Sequence, residues 1–174
     1  MNIFWFDNDP VVAAKAQPDK MLVKMVLETA QVLSGVHRFL DGDEGYADAY
    51  NLYKLTHKNH PSSIWARESS ENYLWLYNHF IALCEEYTER YERIHLSEQK
   101  LRDGLSQIPF NISIGEMTTP AQAMPEVYKH DDPVVAYRRY CIHEKHYAQW
   151  NVVPGSKPDW WCKDLYNIEE VEET

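Results

Sequence analysis

Positive charge is scarce in this chain: 17 lysines and arginines stand against 27 aspartates and glutamates, a formal net charge of −10 with histidine neutral. A field of that sign repels polyanions at long range, so generic phosphate binding has to come from a local basic patch. Glycine is sparse and scattered, six residues with neither a GxGxxG nor a GxxxxGKS run, which excludes the glycine-rich phosphate loops. The three cysteines, Cys84, Cys141 and Cys162, lie far apart. Without a CxxC there is no zinc-ribbon or redox-pair signature, and reduced thiols in a cytoplasm fit best. No apolar run approaches the roughly 20 residues of a membrane helix. The opening Met-Asn-Ile-Phe-Trp-Phe-Asp lacks the basic lead and long apolar stretch of a signal peptide. The expectation is a cytoplasmic protein with no membrane partner.

What is present fits an ordinary globular domain. Apolar residues make up 44% and charged residues 25% of 174, enough for one core without disulfide staples. The expected organisation is a single helical domain over 1–168, followed by an acidic tail at 169–174. Tyrosine (12) and tryptophan (6) far outnumber phenylalanine (5). Such rings keep a polar handle, so they either fill a small helical core or line a cleft that stacks a flat ligand.

The fold class expected is mainly α: a compact domain of about five to six helices with a loop-rich insert near 108–130. Residues 2–6 read as a short strand or a buried extended lead. Asp7-Asn8-Asp9-Pro10 opens one or two helical turns over 11–16. Asp19 caps a helix over 20–40 whose stripe is Leu22, Val26, Leu33, Val36 and Leu40, widened by Val23, Leu27 and Ala30. A weaker helix follows over 46–56. Residues 62–92 read as the longest helix, with a stripe of Tyr73, Tyr77, Phe80, Cys84, Tyr87 and Tyr91. Ser97 starts a further helix to 106, and a short helix is expected near Ala121. Asp132-Pro133 starts a helix running to about 150. Residues 158–166 form an aromatic closing element with Trp160 and Trp161.

Several clusters carry candidate chemistry. His57 and His60 flank a loop that enters a helix carrying Trp65 and Arg67. Imidazoles serve as ligands or proton-transfer groups, and arginine suits phosphate or carboxylate. A metal there needs a further ligand from Glu28, His37, Asp7 or Asp9; the structural alternative is that His60 caps the helix. Glu28 flanks a buried stripe, a position suited to acid–base work, or pairs loosely with Lys24 one turn earlier. His130-Asp131 is an HD dipeptide, but capping explains the aspartates beside it. Arg138, Arg139, Lys145 and His146, interleaved with Tyr137, Tyr140 and Tyr147, form either a nucleic-acid face or a solvated helix face. Cys84, inside an apolar stripe, reads as inert.

The runs Met-Asn-Ile-Phe-Trp-Phe-Asp-Asn-Asp-Pro, Asp19-Lys20-Met21-Leu22-Val23-Lys24-Met25-Val26-Leu27-Glu28, Thr56-His57-Lys58-Asn59-His60-Pro61 and Trp65-Ala66-Arg67-Glu68 resemble a family of phage and marine-metagenome proteins to which no activity attaches. Asp132-Pro133-Val134-Val135-Ala136-Tyr137-Arg138 belongs to the same resemblance. More remotely, the N-terminal part resembles the pyrimidine-dimer DNA glycosylases of the endonuclease V type. That resemblance implies a small helical enzyme whose N-terminal α-amine is the nucleophile. It also implies an assisting glutamate on the first long helix, with a histidine seven residues earlier. Glu28 takes the glutamate position and Met21 the histidine position. Trp160-Trp161 is similar to the family's aromatic tail.

Three functions follow as expectations. The first is a phage-type enzyme acting on DNA or a nucleotide, a DNA N-glycosylase/lyase for damaged pyrimidines. It takes Glu28, His57 and His60 as catalytic, Lys24, Trp65, Arg67 and Arg138 as substrate-binding, and needs no cofactor and no metal. The second is a non-catalytic acidic interaction protein of viral origin with a protein partner, acting in the host-cell cytoplasm. The third is a metal-dependent phosphohydrolase with metal at His57 and His60. An oligomer is compatible with each.

Overall fold

The computed structural model describes residues 2–168; the acidic tail expected at 169–174 lies outside them. Among the described residues there are seven α-helices, two short 3-10 turns and no strand. The chain begins as a buried extended lead, with Ile3, Phe4, Trp5 and Phe6 all 7% exposed or less. Helix α1 (Pro10–Lys15) follows as the turn chemistry predicts. Asp9 accepts from the Val11 and Val12 amides at 2.8 and 3.3 Å, and Pro10 takes the first helical position.

Helix α2 (Asp19–Asp41) buries Leu22, Val26, Ala30, Leu33 and Val36 as the stripe requires. Val23 and Leu27 do not widen that stripe: both are exposed, at 37% and 39%. Asp19 is no cap either. It is the first residue of the helix, and its carboxylate is taken by Arg90 at 3.1 Å and by the Asn151 and Val152 amides. Those amides, with the Gln149 carbonyl that receives the Asp19 N–H at 2.8 Å, tie residues 149–152 to the start of α2. Hence α7 (Pro133–Glu144) stops short of the expected Trp150.

Helix α3 (Tyr46–Ala49) has only four residues where a longer stretch to 56 was expected. The reason is Arg38, which donates to the Leu52 and Tyr53 carbonyls at 2.7 and 2.8 Å and draws that segment open. The single long helix expected over 62–92 is two, α4 (Pro61–Glu68) and α5 (Ser70–Tyr91). Ser69 breaks it with an extended backbone, and its hydroxyl caps α5 by accepting from the Asn72 amide at 3.2 Å. The apolar stripe begins only at Tyr73, beyond the break, so periodicity does not reveal it. Helix α6 (Leu96–Leu105) is capped by His95 rather than Ser97. Residues 108–125 are irregular as expected, without a helix near Ala121; a 3-10 turn comes later, at Glu126–Tyr128.

Helix α5 is the centre of the packing: α1, α2, α4 and α6 all lie against it. Two alanines, Ala13 and Ala14, both fully buried, let α1 lie close to α5. The most demanding polar group in this core is Arg90. Its side chain is wholly buried, and it donates to the Lys15 and Gln17 carbonyls and to Asp19 and Glu86. One guanidinium thereby joins the end of α1, the start of α2 and the last turn of α5. Arg90→Ala leaves the Asp19 charge and two carbonyls without their donor. The expected loss is about 3–5 kcal/mol of unfolding free energy, read from urea denaturation at neutral pH.

His79, fully buried on α5, donates from Nδ1 to the Pro10 carbonyl at 2.9 Å, and burial pushes its pKa down to about 4. Burial likewise lowers His37 to about 4. The unfolded chain binds these protons from near pH 6.5 downward and the folded chain only near 4, so stability falls as pH drops through that window. For His79 the full term is roughly 3 kcal/mol. The urea midpoint should therefore fall between pH 7 and pH 5, and His79→Phe, though less stable at pH 7, should show a flatter slope.

Candidate active site

The lead that begins the chain is held from three sides. Asn2, 8% exposed, donates from Nδ2 to the Ala123 carbonyl at 2.9 Å, and its Oδ1 accepts from the Tyr137 hydroxyl at 2.9 Å. Trp5 stacks on Trp75 of α5 with ring centroids 3.6 Å apart and meets Trp65 of α4 edge-on at 5.5 Å. The Trp5 and Trp75 indoles both donate to Asn8, one to its side chain and one to its carbonyl. Phe4 has φ 58°, the left-handed region that a bulky side chain enters at a cost. The surrounding packing holds it there.

Glu28 stands on α2 with its side chain 14% exposed, and Lys24 Nζ lies 3.5 Å away on its solvent side. His60 approaches from the neighbouring helix. It is the N-cap of α4, where its Nδ1 accepts from the Ser62 amide at 3.0 Å. The structural alternative is thus realised in part, and it has a chemical consequence: the neutral ring carries its proton on Nε2. The His60 pKa is lowered, first by burial and then by the positive charges of the chain's α-amine and of His57, with Glu28 opposing them. His57 is exposed, with φ 51°, and its carbonyl accepts from the His60 amide at 3.0 Å.

The remaining predicted residues divide. Arg67, in the last turn of α4, donates to the Lys58 carbonyl at 2.6 Å and sits over the Phe39 ring. Trp65 is corrected from a substrate contact to a wall. It is 2% exposed, and its indole donates to the Thr118 carbonyl at 3.1 Å. Arg138 is likewise engaged elsewhere. It donates to the Phe6 carbonyl and the Tyr166 hydroxyl, both at 2.8 Å, faces Asp7 at 3.4 Å, and lies over Trp160. His130 accepts from the Asp132 amide, and Asp132 caps α7, so the HD dipeptide does capping work. Among the described residues, no three His, Cys, Asp or Glu side chains come together as a metal site. Cys84 and Cys141 are buried, with thiol pKa values pushed up by burial, and are inert.

Sequence reasoning missed Asn2, Phe39 and Asn72. Asn72 is fully buried; it donates to the Trp65 carbonyl and to the Thr118 hydroxyl, and its Oδ1 accepts from the Thr118 amide, locking α4 against the loop. Asn2 carried a signal, a polar residue beside an apolar run; Asn72, preceded by Glu68-Ser69-Ser70-Glu71, carried none. The local charge was also legible and unread: residues 49–67 contain Lys54, Lys58, Arg67, His57 and His60 and no acid. The chain is acidic, but this stretch is not.

The model of a protein family described as pyrimidine dimer DNA glycosylase matches residues 1–99. The match spans the lead, α1 to α5 and the first turn of α6, and so includes Glu28, His57, His60 and Arg67 but not Arg138. No curated protein matches the chain, and no solved structure does. With more than half of its 174 residues matched, from the lead through the central helix, the chain belongs to the pyrimidine dimer DNA glycosylase family.

Proposed function

We propose that this protein is a DNA N-glycosylase/lyase that removes damaged pyrimidines, with an α-amine at the start of the chain as nucleophile and Glu28 as the proton-handling carboxylate. The observation that carries this reading is the half-buried Glu28 carboxylate, 14% exposed on the first long helix, within the stretch matched by the family model. The shift of the neighbouring His60, to which Glu28, His57 and the α-amine contribute, is in line with it.

The amine nitrogen attacks C1′ of the damaged nucleotide, the C1′–N1 bond breaks, and its electron pair leaves with the base, which takes up a proton. The attacking nitrogen loses a proton; its lone pair then forms the C1′=N bond of an iminium as the C1′–O4′ bond breaks, and O4′ keeps that electron pair and takes up a proton as a hydroxyl. Glu28 receives and returns these protons. His60, with Nδ1 committed to the Ser62 amide, offers Nε2–H as a donor beside the carboxylate. His57 contributes from the loop. Lys24 and Arg67 hold the DNA backbone, with Lys58, whose carbonyl receives Arg67, adding positive charge beside them. Trp65 and Arg138 support this arrangement from behind, through Trp5 and Phe6.

Borohydride reduction of the iminium on an ultraviolet-irradiated duplex should trap a covalent protein–DNA adduct whose peptide map places the link at the chain's first residue. Trapping at Lys24, or no adduct, would sink the assignment. Glu28→Gln should lower the rate about 10²–10⁴-fold while leaving the melting temperature close to that of the parent.

The pH profile tests His60 separately. Protonation occurs at Nδ1, where it ends the cap and adds a positive charge facing the amine. Activity should therefore fall on the acid side with an apparent pKa below the ordinary histidine value, and His60→Asn, which can still cap α4, should lose that limb. An unchanged acid limb in the variant would remove His60 from the mechanism.

A further inference from the structure

Phe39 lies eleven residues beyond Glu28 on α2, three turns along the same face and about 16 Å away. It is a large aromatic, 45% exposed. Arg67 lies seven residues beyond His60, two turns along α4, and its Cζ sits 3.7 Å from the Phe39 ring centroid. The helices α2 and α4 pack together. The contact of Phe39 with Arg67 thus joins the last turn of α2 to the last turn of α4. Arg67 takes part in none of the ion pairs found among the described residues. One of its five N–H groups is committed to the Lys58 carbonyl. Glu68, the neighbouring carboxylate, acts on Arg67 only through space and accepts from the Thr118 hydroxyl. An arginine fixed over a ring and turned by a carbonyl is a preorganised anion site, because its planar fork matches phosphate geometry.

We propose that Arg67, held by Phe39 and by the Lys58 carbonyl, takes a backbone phosphate of the duplex flanking the lesion, on one side of the sugar that Glu28 serves; this rests on the glycosylase reading above. About 16 Å of helix face spans at most about five base-pair steps at about 3.4 Å of rise each, so the contact falls within that flank. Phe39 is a positioning residue in this account, acting through Arg67. The protein thereby reads flanking duplex on one side of the lesion without reading its sequence.

The test crosses protein variants with substrate length. Irradiated duplexes carry the lesion with a flank shortened stepwise from about ten base pairs to about one, on either side in turn, so that the shortest form ends before the proposed contact. Shortening the correct side should raise the parent's KM about tenfold, the size of one lost charged contact. Arg67→Gln should raise KM on the long flank by a similar factor, and the two losses should not add. Phe39→Ala should follow Arg67→Gln, and Arg67→Lys should recover part of the loss by charge alone. The slope of log affinity against log salt should become shallower by about one for Arg67→Gln. Full additivity on both sides, or a loss confined to kcat, would overturn the proposal.

If no variant or parent turns the substrate over, fluorescence anisotropy on undamaged duplexes of the same lengths reads the contact alone. Flank-dependent binding through Arg67 would then uphold the contact while the glycosylase reading fails. Flank-independent binding would overturn the contact itself. Melting curves identify any variant that does not fold, and Arg67→Lys carries the comparison if Arg67→Gln is such a case.

Discussion

The stack of Trp5 on Trp75, with Trp65 set edge-on against both, is the contact on which the arrangement of the site depends. An extended chain start has no internal hydrogen bonds to hold its course, so side-chain burial has to supply the order. Trp5 does this at 1% exposure, and it couples the lead to two helices at once. Trp65 lies five residues beyond His60, and Trp75 is on the helix that packs against α1, α2, α4 and α6. Whatever places the lead therefore also places the capping histidine. Asn2 and Tyr137 close the same lead from the other end of the chain, through Ala121 and Ala123. The irregular 108–125 segment is in this way a brace. Asp41 accepts from the Phe110 and Asn111 amides, Ser70 and Asn72 bond Gly115 and Thr118, and Glu68 accepts from the Thr118 hydroxyl.

Net charge and DNA chemistry conflict only while charge is counted over the whole chain. At ordinary ionic strength, exposed charges interact over about a Debye length, roughly 8–10 Å. The acids gather in two places: Asp43, Glu44 and Asp48 around α3, where Lys54 shares a concavity with Asp43 and Asp48, and Glu85, Glu86, Glu89 and the C-cap Glu92 at the end of α5. Arg38 is held among the first group by Asp43 and Asp48, which takes that arginine out of any phosphate-binding role. Lys58 and Arg67 belong to the acid-free stretch. An enzyme whose remaining surface repels polyanions would meet DNA with one face only, a selectivity that a uniformly basic protein lacks.

The helical class, the capped starts at Pro10 and Pro133 and the irregular 108–125 segment were legible, because proline, aspartate and helical periodicity are local signals. The failures were tertiary. Asp19 reads as a cap, but buried Arg90 claims its carboxylate. The 46–56 segment has acceptable helical composition, but Arg38 takes two of its carbonyls. The apolar stripe from 73 to 91 is genuine but begins after Ser69, so it carried no information on the break there. At the site, residue type and spacing could nominate Glu28, His57, His60 and Arg67 as candidates, whereas Trp65 could not be told from a cleft aromatic until its burial was known. Phe39 carried no signal, since an aromatic at helical spacing reads as core; only its exposure and the arginine over it set it apart.

The departure at Met21 has a structural counterpart. Met21 is 2% exposed, packed inside the core stripe of α2, so a neutral apolar side chain suits that position better than an imidazole does. The histidine nearest in function comes from another helix. His60 at the N-cap of α4 sits where the helix dipole disfavours a protonated ring, in line with burial and the neighbouring positive charges. A neutral imidazole with a fixed tautomer donates from Nε2 without competing with the amine for the Glu28 carboxylate as a second cation. On the proposed mechanism, the histidine that donates beside the half-buried Glu28 carboxylate therefore stands at the start of the neighbouring helix.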